Sequence, residues 1–83
     1  MLTLDLHPIF RNNRDIELAL RQAVFRARHT GEPLQIIHGK GSGRLRDRVL
    51  AFLGQKHIRS LYDHLEVDPA NPGRILVHFA PRP

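Results

Sequence analysis

The chain has 83 residues, a formal charge of +5 at neutral pH and no cysteine. This length suits one domain over residues 1–83, with a core over 2–80 and a frayed end at 81–83. The lack of cysteine excludes a disulfide framework and a thiolate metal site. No apolar run is long enough to span a membrane and no signal peptide opens the chain, so we expect a cytoplasmic protein without membrane contact.

The positive charge is concentrated in the first part of the sequence. Residues 1–60 hold eleven Lys or Arg against five Asp or Glu, whereas residues 61–83 hold two against three. A positive field of this kind favours polyanionic partners, above all nucleic acid. The alternative is a basic protein without such a partner, and charge alone leaves both open.

The first two predicted elements are a strand and a helix. Residues 2–7 alternate leucine with polar residues, which is typical of a strand with one buried face, and Pro8 ends it. A helix is predicted over residues 14–29, with Asn12 or Asn13 as its N-cap and Gly31 after its end. Its buried stripe has helical spacing: Ile16, Ala19, Leu20, Ala23, Val24 and Ala27.

The remaining elements complete an α/β chain of order β-α-β-α-β-β. Residues 34–38 are apolar on both faces, as in an interior strand, and a second helix is predicted over 43–55. Residues 58–67 and 74–79 are predicted as two further strands joined by the turn signal DPANPG. The fold class is therefore a two-layer α+β sandwich, with a mixed four-stranded sheet and two helices. Right-handed crossovers make the first three strands parallel and the last one antiparallel.

The segment HGKGSGR, residues 38–44, lies between a predicted strand and a predicted helix. Its glycines allow backbone amides to approach a phosphate, and the start of the helix adds a partial positive charge. Lys40, Arg44 and Arg46 supply full charges, while Ser42 either caps the helix or donates to a ligand. A plain tight turn needs neither three glycines nor these cations, so the pattern favours anion binding.

Asp5 and His7 form the second candidate cluster, because side chains two apart in a strand share one face. A carboxylate beside an imidazole fixes its tautomer and raises its basicity, as a general base requires. In open α/β sheets the carboxyl ends of parallel strands form the ligand-binding edge. We therefore expect Asp5 and His7 to converge there with His38, Gly39 and Lys40.

The motifs LDLH at residues 4–7 and HGKGSGRLRDRV at 38–49 give the chain a clear resemblance to the Smr (small MutS-related) domain family. The resemblance covers residues 4–79 and implies a fold similar to the C-terminal domain of bacterial translation initiation factor three. It also implies nucleic-acid binding and, in many members, endonuclease activity. Some members nick DNA as part of larger MutS-like proteins, and others cleave messenger RNA on stalled ribosomes.

On this basis the sequence predicts a phosphodiester-cleaving site. His7 is the expected general base, oriented by Asp5, and His38 is the acid or an orienting group. Lys40, with the amides of Gly41 and Gly43, would stabilise charge on the phosphate. The predicted catalytic residues are Asp5, His7, His38 and Lys40. The predicted nucleic-acid contacts are Arg11, Arg14, Gly39, Gly41, Ser42, Gly43, Arg44 and Arg46.

No cofactor and no metal site are expected, because neither a carboxylate cluster nor histidines at ligand spacing appear. Dependence on a divalent metal and the choice between RNA and DNA are open at this stage. Pro8 stands where the family usually has glycine, which favours a second hypothesis, a binding module without catalysis. A third is an interaction module, docking for example on the ribosome, with Leu18 and Phe25 as contacts.

Overall fold

The structure is a computed structural model that describes residues 1–6, 12–39, 43–67 and 69–80. Helices and strands follow the order β-α-β-α-α-β-β along the chain. They are β1 (Leu2–Asp5), α1 (Asn13–Thr30), β2 (Leu34–Ile37), α2 (Arg44–Leu53), α3 (Lys56–Arg59), β3 (His64–Glu66) and β4 (Arg74–His78). None of the helices in these described parts is long and apolar enough to cross a membrane.

The four strands form one mixed sheet in the order β1-β2-β4-β3. β1 pairs with β2 in parallel, with Leu4 opposite Ile36. β4 lies antiparallel to both β2 and β3, so β3 runs in the same direction as β2. The predicted four-stranded α+β fold and the predicted strand directions are therefore confirmed, and the last strand along the chain occupies an interior position in the sheet.

Local signals at both ends determine the length of α1. The Asn12 side-chain oxygen accepts hydrogen bonds from the amides of Arg14, at 2.9 Å, and Asp15, at 3.4 Å. At the other end Gly31 has φ = 79°, and its amide donates to the Ala27 carbonyl at 2.8 Å. A residue with a side chain is strained at this φ, so glycine is suited to end the helix here.

The predicted strand over residues 58–67 is wrong in its first half. Residues 56–59 form α3, and only His64–Glu66 are in a strand. The apolar residues Ile58, Leu61 and Tyr62 have the i, i+3, i+4 spacing of a helical turn, and all three pack in or against the core. The Tyr62 hydroxyl donates to the Leu53 carbonyl at 2.7 Å, which ties this turn to the end of α2.

The core lies on one face of the sheet, under the helices. Leu34 and Ile36 of β2 and Ile75 and Val77 of β4 are fully buried there, as are the inward residues of α1. The opposite face of the sheet carries polar side chains. On that face the Gln35 amide nitrogen donates to the Thr3 hydroxyl at 3.3 Å, and Arg74 donates to Gln35 at 2.6 Å. The helices therefore leave this second face uncovered, and hydrogen bonds across strands organise it.

Candidate nucleic-acid interface

Two of the predicted site segments meet at the carboxyl edge of the parallel strands. Asp5 ends β1 and is paired in register with Ile37, the last residue of β2. The Leu6 amide donates to the Ile37 carbonyl at 3.0 Å, so the two chains stay together past the strands. His38 and Gly39 follow directly, which places Asp5 and His38 at the same edge, as expected from the parallel pairing.

Five of the predicted site residues lie outside the described parts of the chain. They are His7, Arg11, Lys40, Gly41 and Ser42. Pro8 lies there as well. The roles predicted for these residues stay predictions.

His38 is the most unusual side chain at this edge, because it is a buried polar group. Only 6% of its surface is exposed, and its Nε2 atom has no hydrogen-bond partner among the described residues. Burial lowers the pKa of His38, a hydrogen bond with the Gly39 backbone opposes this, and the nearby Arg46 charge lowers it further. The ring is therefore neutral near pH 7, and its Nε2 is a buried atom whose hydrogen-bonding capacity is unfilled by the described residues.

The start of α2 gives the same edge a positive character. Gly43 is its N-cap with φ = 89°, a left-handed conformation that favours glycine, and it has no side chain to cap the free amides of the first turn. Arg46 folds back over this turn, since a Cβ atom on Gly43 would lie 3.4 Å from its Nη2. Helix amides and a guanidinium group therefore lie near the buried imidazole, which is the arrangement expected for anion binding.

Arg14 and Arg44 also belong to this edge. Arg14 lies in the first turn of α1, which begins after β1, and Arg44 is the first residue of α2, which begins after β2. Both side chains are exposed. Two helix N-termini and two exposed arginines thus flank the ends of the parallel strands.

The family model of the Smr domain matches residues 4–80 of the chain. The chain belongs to the Smr domain family. Among solved structures it is similar to the Smr domain of Thermus thermophilus MutS2, with 25% sequence identity and a TM-score of 0.79. That match covers 98% of this chain and 100% of the other. No curated protein sequence matches the chain significantly. Smr domains generally bind nucleic acids, and some nick them.

The structure of this Smr domain adds one residue that the sequence did not indicate. The Gly73 carbonyl accepts hydrogen bonds from the amides of both His38 and Gly39, each at 3.0 Å. Gly73 is buried and directly precedes β4. The contact exists because β4 lies next to β2, so that its start adjoins the end of β2. The sequence contains a turn signal at this point but no indication of that neighbour.

Two histidines outside the site, in β3 and β4, have partners of their own. His64 and His78 stack across β3 and β4 with ring centroids 4.6 Å apart. His64 contacts Asp63 at 2.7 Å, and His78 contacts Glu66 at 3.0 Å. Within the described ranges no group of three or more histidine or acidic side chains is arranged to hold a metal ion. The expectation that no metal is bound stays a prediction.

The lowered pKa of His38 predicts how the stability of the domain depends on pH. Above the ordinary histidine pKa of 6.5 the ring is neutral both folded and unfolded, and its contribution to stability is complete. As the pH falls below that value, the unfolded chain binds a proton that the buried ring resists, so the free energy of unfolding decreases. Each unit by which the pKa is lowered corresponds to about 1.4 kcal/mol.

Urea denaturation of wild type and His38→Gln at about pH 7.5 and about pH 5 measures how much His38 contributes to the pH dependence of the free energy of unfolding. The variant should lose less stability on acidification than wild type. His57→Gln, which replaces an exposed histidine of α3, is the matched control and should retain the wild-type dependence. If wild type and His38→Gln lost the same stability on acidification, the lowered pKa of His38 would be contradicted.

Proposed function

We propose that this Smr domain binds nucleic acid at the carboxyl edge of β1 and β2 and cleaves a phosphodiester bond there. The observation that carries the proposal is the buried, neutral His38, whose Nε2 has no hydrogen-bond partner among the described residues, beside the start of α2, which has no side-chain cap. A neutral imidazole next to helix amides and a guanidinium suits a phosphate that is both bound and attacked. The family membership supports the same substrate class.

In the proposed reaction His7 removes a proton from the nucleophile, with its ring oriented by Asp5. The nucleophile is water or a ribose 2′-hydroxyl, and its oxygen attacks phosphorus as the bond to the leaving oxygen breaks. Lys40 and the amides of Gly41 and Gly43 stabilise the charge that develops on the phosphate oxygens. The lowered pKa of His38 favours the orienting role over the acid role, because the ring carries no extra proton near pH 7.

A cleavage assay in EDTA, on single-stranded RNA and on supercoiled plasmid, tests the proposal. Wild type should cleave at least one substrate above background, whereas His7→Ala should not. His57→Ala, a histidine of α3, controls for loss of an imidazole elsewhere. Identical background cleavage by wild type and His7→Ala would exclude the enzyme hypothesis.

Pro8 favours a second function, nucleic-acid binding without cleavage. Proline has no backbone N–H and cannot adopt the positive φ that glycine allows, so Pro8 lacks two properties of the glycine that the family usually has at this position. In this case the protein binds nucleic acid but fails the cleavage assay. The remaining alternative is an interaction module that docks on the ribosome. A protein that binds no free nucleic acid at low salt would favour this alternative.

The expected phosphate contact of Lys40 is measured by the salt dependence of binding. For Lys40→Ala we expect the slope of log affinity against log salt to fall by about 0.7 on single strands or about 0.9 on duplex DNA. Lys56→Ala removes the same charge from α3 and should leave the slope nearly unchanged. An unchanged slope in Lys40→Ala would show that Lys40 does not contact phosphate.

A further inference from the structure

The outer face of α1 carries a regular series of basic and apolar side chains that the site at the sheet edge does not use. We define it as the outer stripe: Arg14, Leu18, Arg21, Phe25 and Arg28. Its members follow one another at steps of four and three residues, so they lie on one side of the helix. The buried residues of α1, such as Ile16 and Leu20, lie on the other side. The outer stripe therefore faces away from the core.

The apolar members of the outer stripe are unusually accessible. Leu18 is 51% exposed and Phe25 50%, and both lie on the side of α1 that points away from the sheet. Along the stripe Phe25 lies between Arg21 and Arg28. An exposed aromatic ring between cations is suited to stack on a base while the cations contact phosphates.

Two charges of the outer stripe, those of Arg14 and Arg21, are exposed. Neither Arg14 nor Arg21 forms an ion pair within 4 Å with any residue that the structure describes. α1 as a whole has four arginines against two acidic residues, Asp15 and Glu17. Successive arginines of the stripe are seven residues apart, which is about 10 Å along the helix axis.

The position of α1 connects the outer stripe to the proposed site. α1 follows β1 and precedes the parallel strand β2, so it begins at the carboxyl edge of the sheet and runs back towards the other edge. Arg14 therefore lies at the site, and Arg28 lies about 21 Å further along the helix. A nucleic-acid strand bound at the sheet edge can therefore continue along the outer stripe of α1 without changing direction.

We propose that the outer stripe binds a single-stranded nucleic-acid segment that extends from the sheet edge along α1. Arg14 and Arg21 contact phosphates, and Phe25 stacks on a base. This inference rests on the proposed function, because the nucleic-acid segment on α1 is a continuation of the one bound at the sheet edge. A duplex is disfavoured because its bases are already stacked on each other. A second copy of this chain is disfavoured because an antiparallel contact through this face brings arginines together.

Binding of fluorescent single-stranded RNA and DNA of about four and about twelve nucleotides tests the proposal, since only the longer strand reaches Arg21 and Phe25. For the longer strand, Arg21→Gln should lower affinity several-fold and reduce the salt slope by about 0.7. Phe25→Ser should lower that affinity about 5- to 100-fold. Both variants should bind the shorter strand like wild type. Lys56→Gln on α3 and Val67→Ser, which replaces a 52% exposed valine, are the matched controls.

The outcomes separate this proposal from the proposed function. If wild type binds the longer strand and both variants bind it equally well, the outer stripe is not part of the interface, although the proposed function stands. This result would assign Leu18 and Phe25 to a protein partner instead. If Phe25→Ser lowered the affinity for a duplex as much as the affinity for a single strand, the stacking role of Phe25 would be overturned. If wild type binds no nucleic acid at low salt, the proposed function itself fails.

Discussion

Replacing Leu20 with alanine is expected to destabilise the domain by about 2–5 kcal/mol. Leu20 is fully buried at the centre of α1, where it belongs to the core between helix and sheet. Truncation loses its transfer free energy and leaves a cavity that the neighbouring side chains fill only partly. A domain of 83 residues typically has a free energy of unfolding of roughly 4–12 kcal/mol, so this one change removes a large part of it.

Leu18→Ala on the same helix is the matched control, because it removes the same atoms from a side chain that is 51% exposed. Its effect on the free energy of unfolding should stay within about 0.5 kcal/mol. Urea denaturation measures both variants, and equal m-values would confirm that the same surface is exposed on unfolding. Similar destabilisation by the two changes would contradict the placement of α1 on the sheet.

His38→Gln is expected to reduce the rate of phosphodiester cleavage about 10²-fold, the effect of misplacing the reacting groups by about 1 Å. Glutamine is close in size and can still form a hydrogen bond, so the backbone bonds to Gly73 should remain. Its amide differs from the imidazole in geometry, so it cannot hold the reacting groups as the proposed orienting role requires. The loss should therefore appear in the rate rather than in the affinity for nucleic acid.

Single-turnover cleavage and equilibrium binding, measured on protein that is folded by circular dichroism, separate these two effects. His29→Gln replaces an exposed histidine in the last turn of α1 and should cleave like wild type. A His38→Gln variant that cleaves within about two-fold of wild type would limit His38 to a structural role.

Most helices and strands were predictable because their signals are local. α1 has a capping asparagine, a helical apolar stripe and a terminal glycine, and all three signals have the predicted effect in the structure. The position of Asp5 and His38 at the same edge of the sheet followed from β1 and β2 being parallel. The turn at α3 was missed because a short apolar segment next to a true strand satisfies both periods, and only packing of Ile58 and Tyr62 decides between them.

The contact of Gly73 with the site was not predictable for a different reason. It depends on which strands are neighbours, and the sequence of β4 is compatible with an edge or an interior position. The pKa of His38 depends likewise on burial by distant residues, although its place in the motif was evident. Local residue patterns thus located the candidate site, whereas its supporting contacts arise from tertiary structure.

The insertion of β4 between β2 and β3 has a consequence for the order of events during synthesis on the ribosome. β2 and β3 cannot be joined in one sheet until β4 has left the exit tunnel, although both precede it in the chain. The Gly73 carbonyl, which accepts hydrogen bonds from the amides of His38 and Gly39, leaves the tunnel together with the start of β4. A nascent chain that has not yet reached residue 73 therefore lacks the two hydrogen bonds that hold His38 and Gly39 at the start of β4.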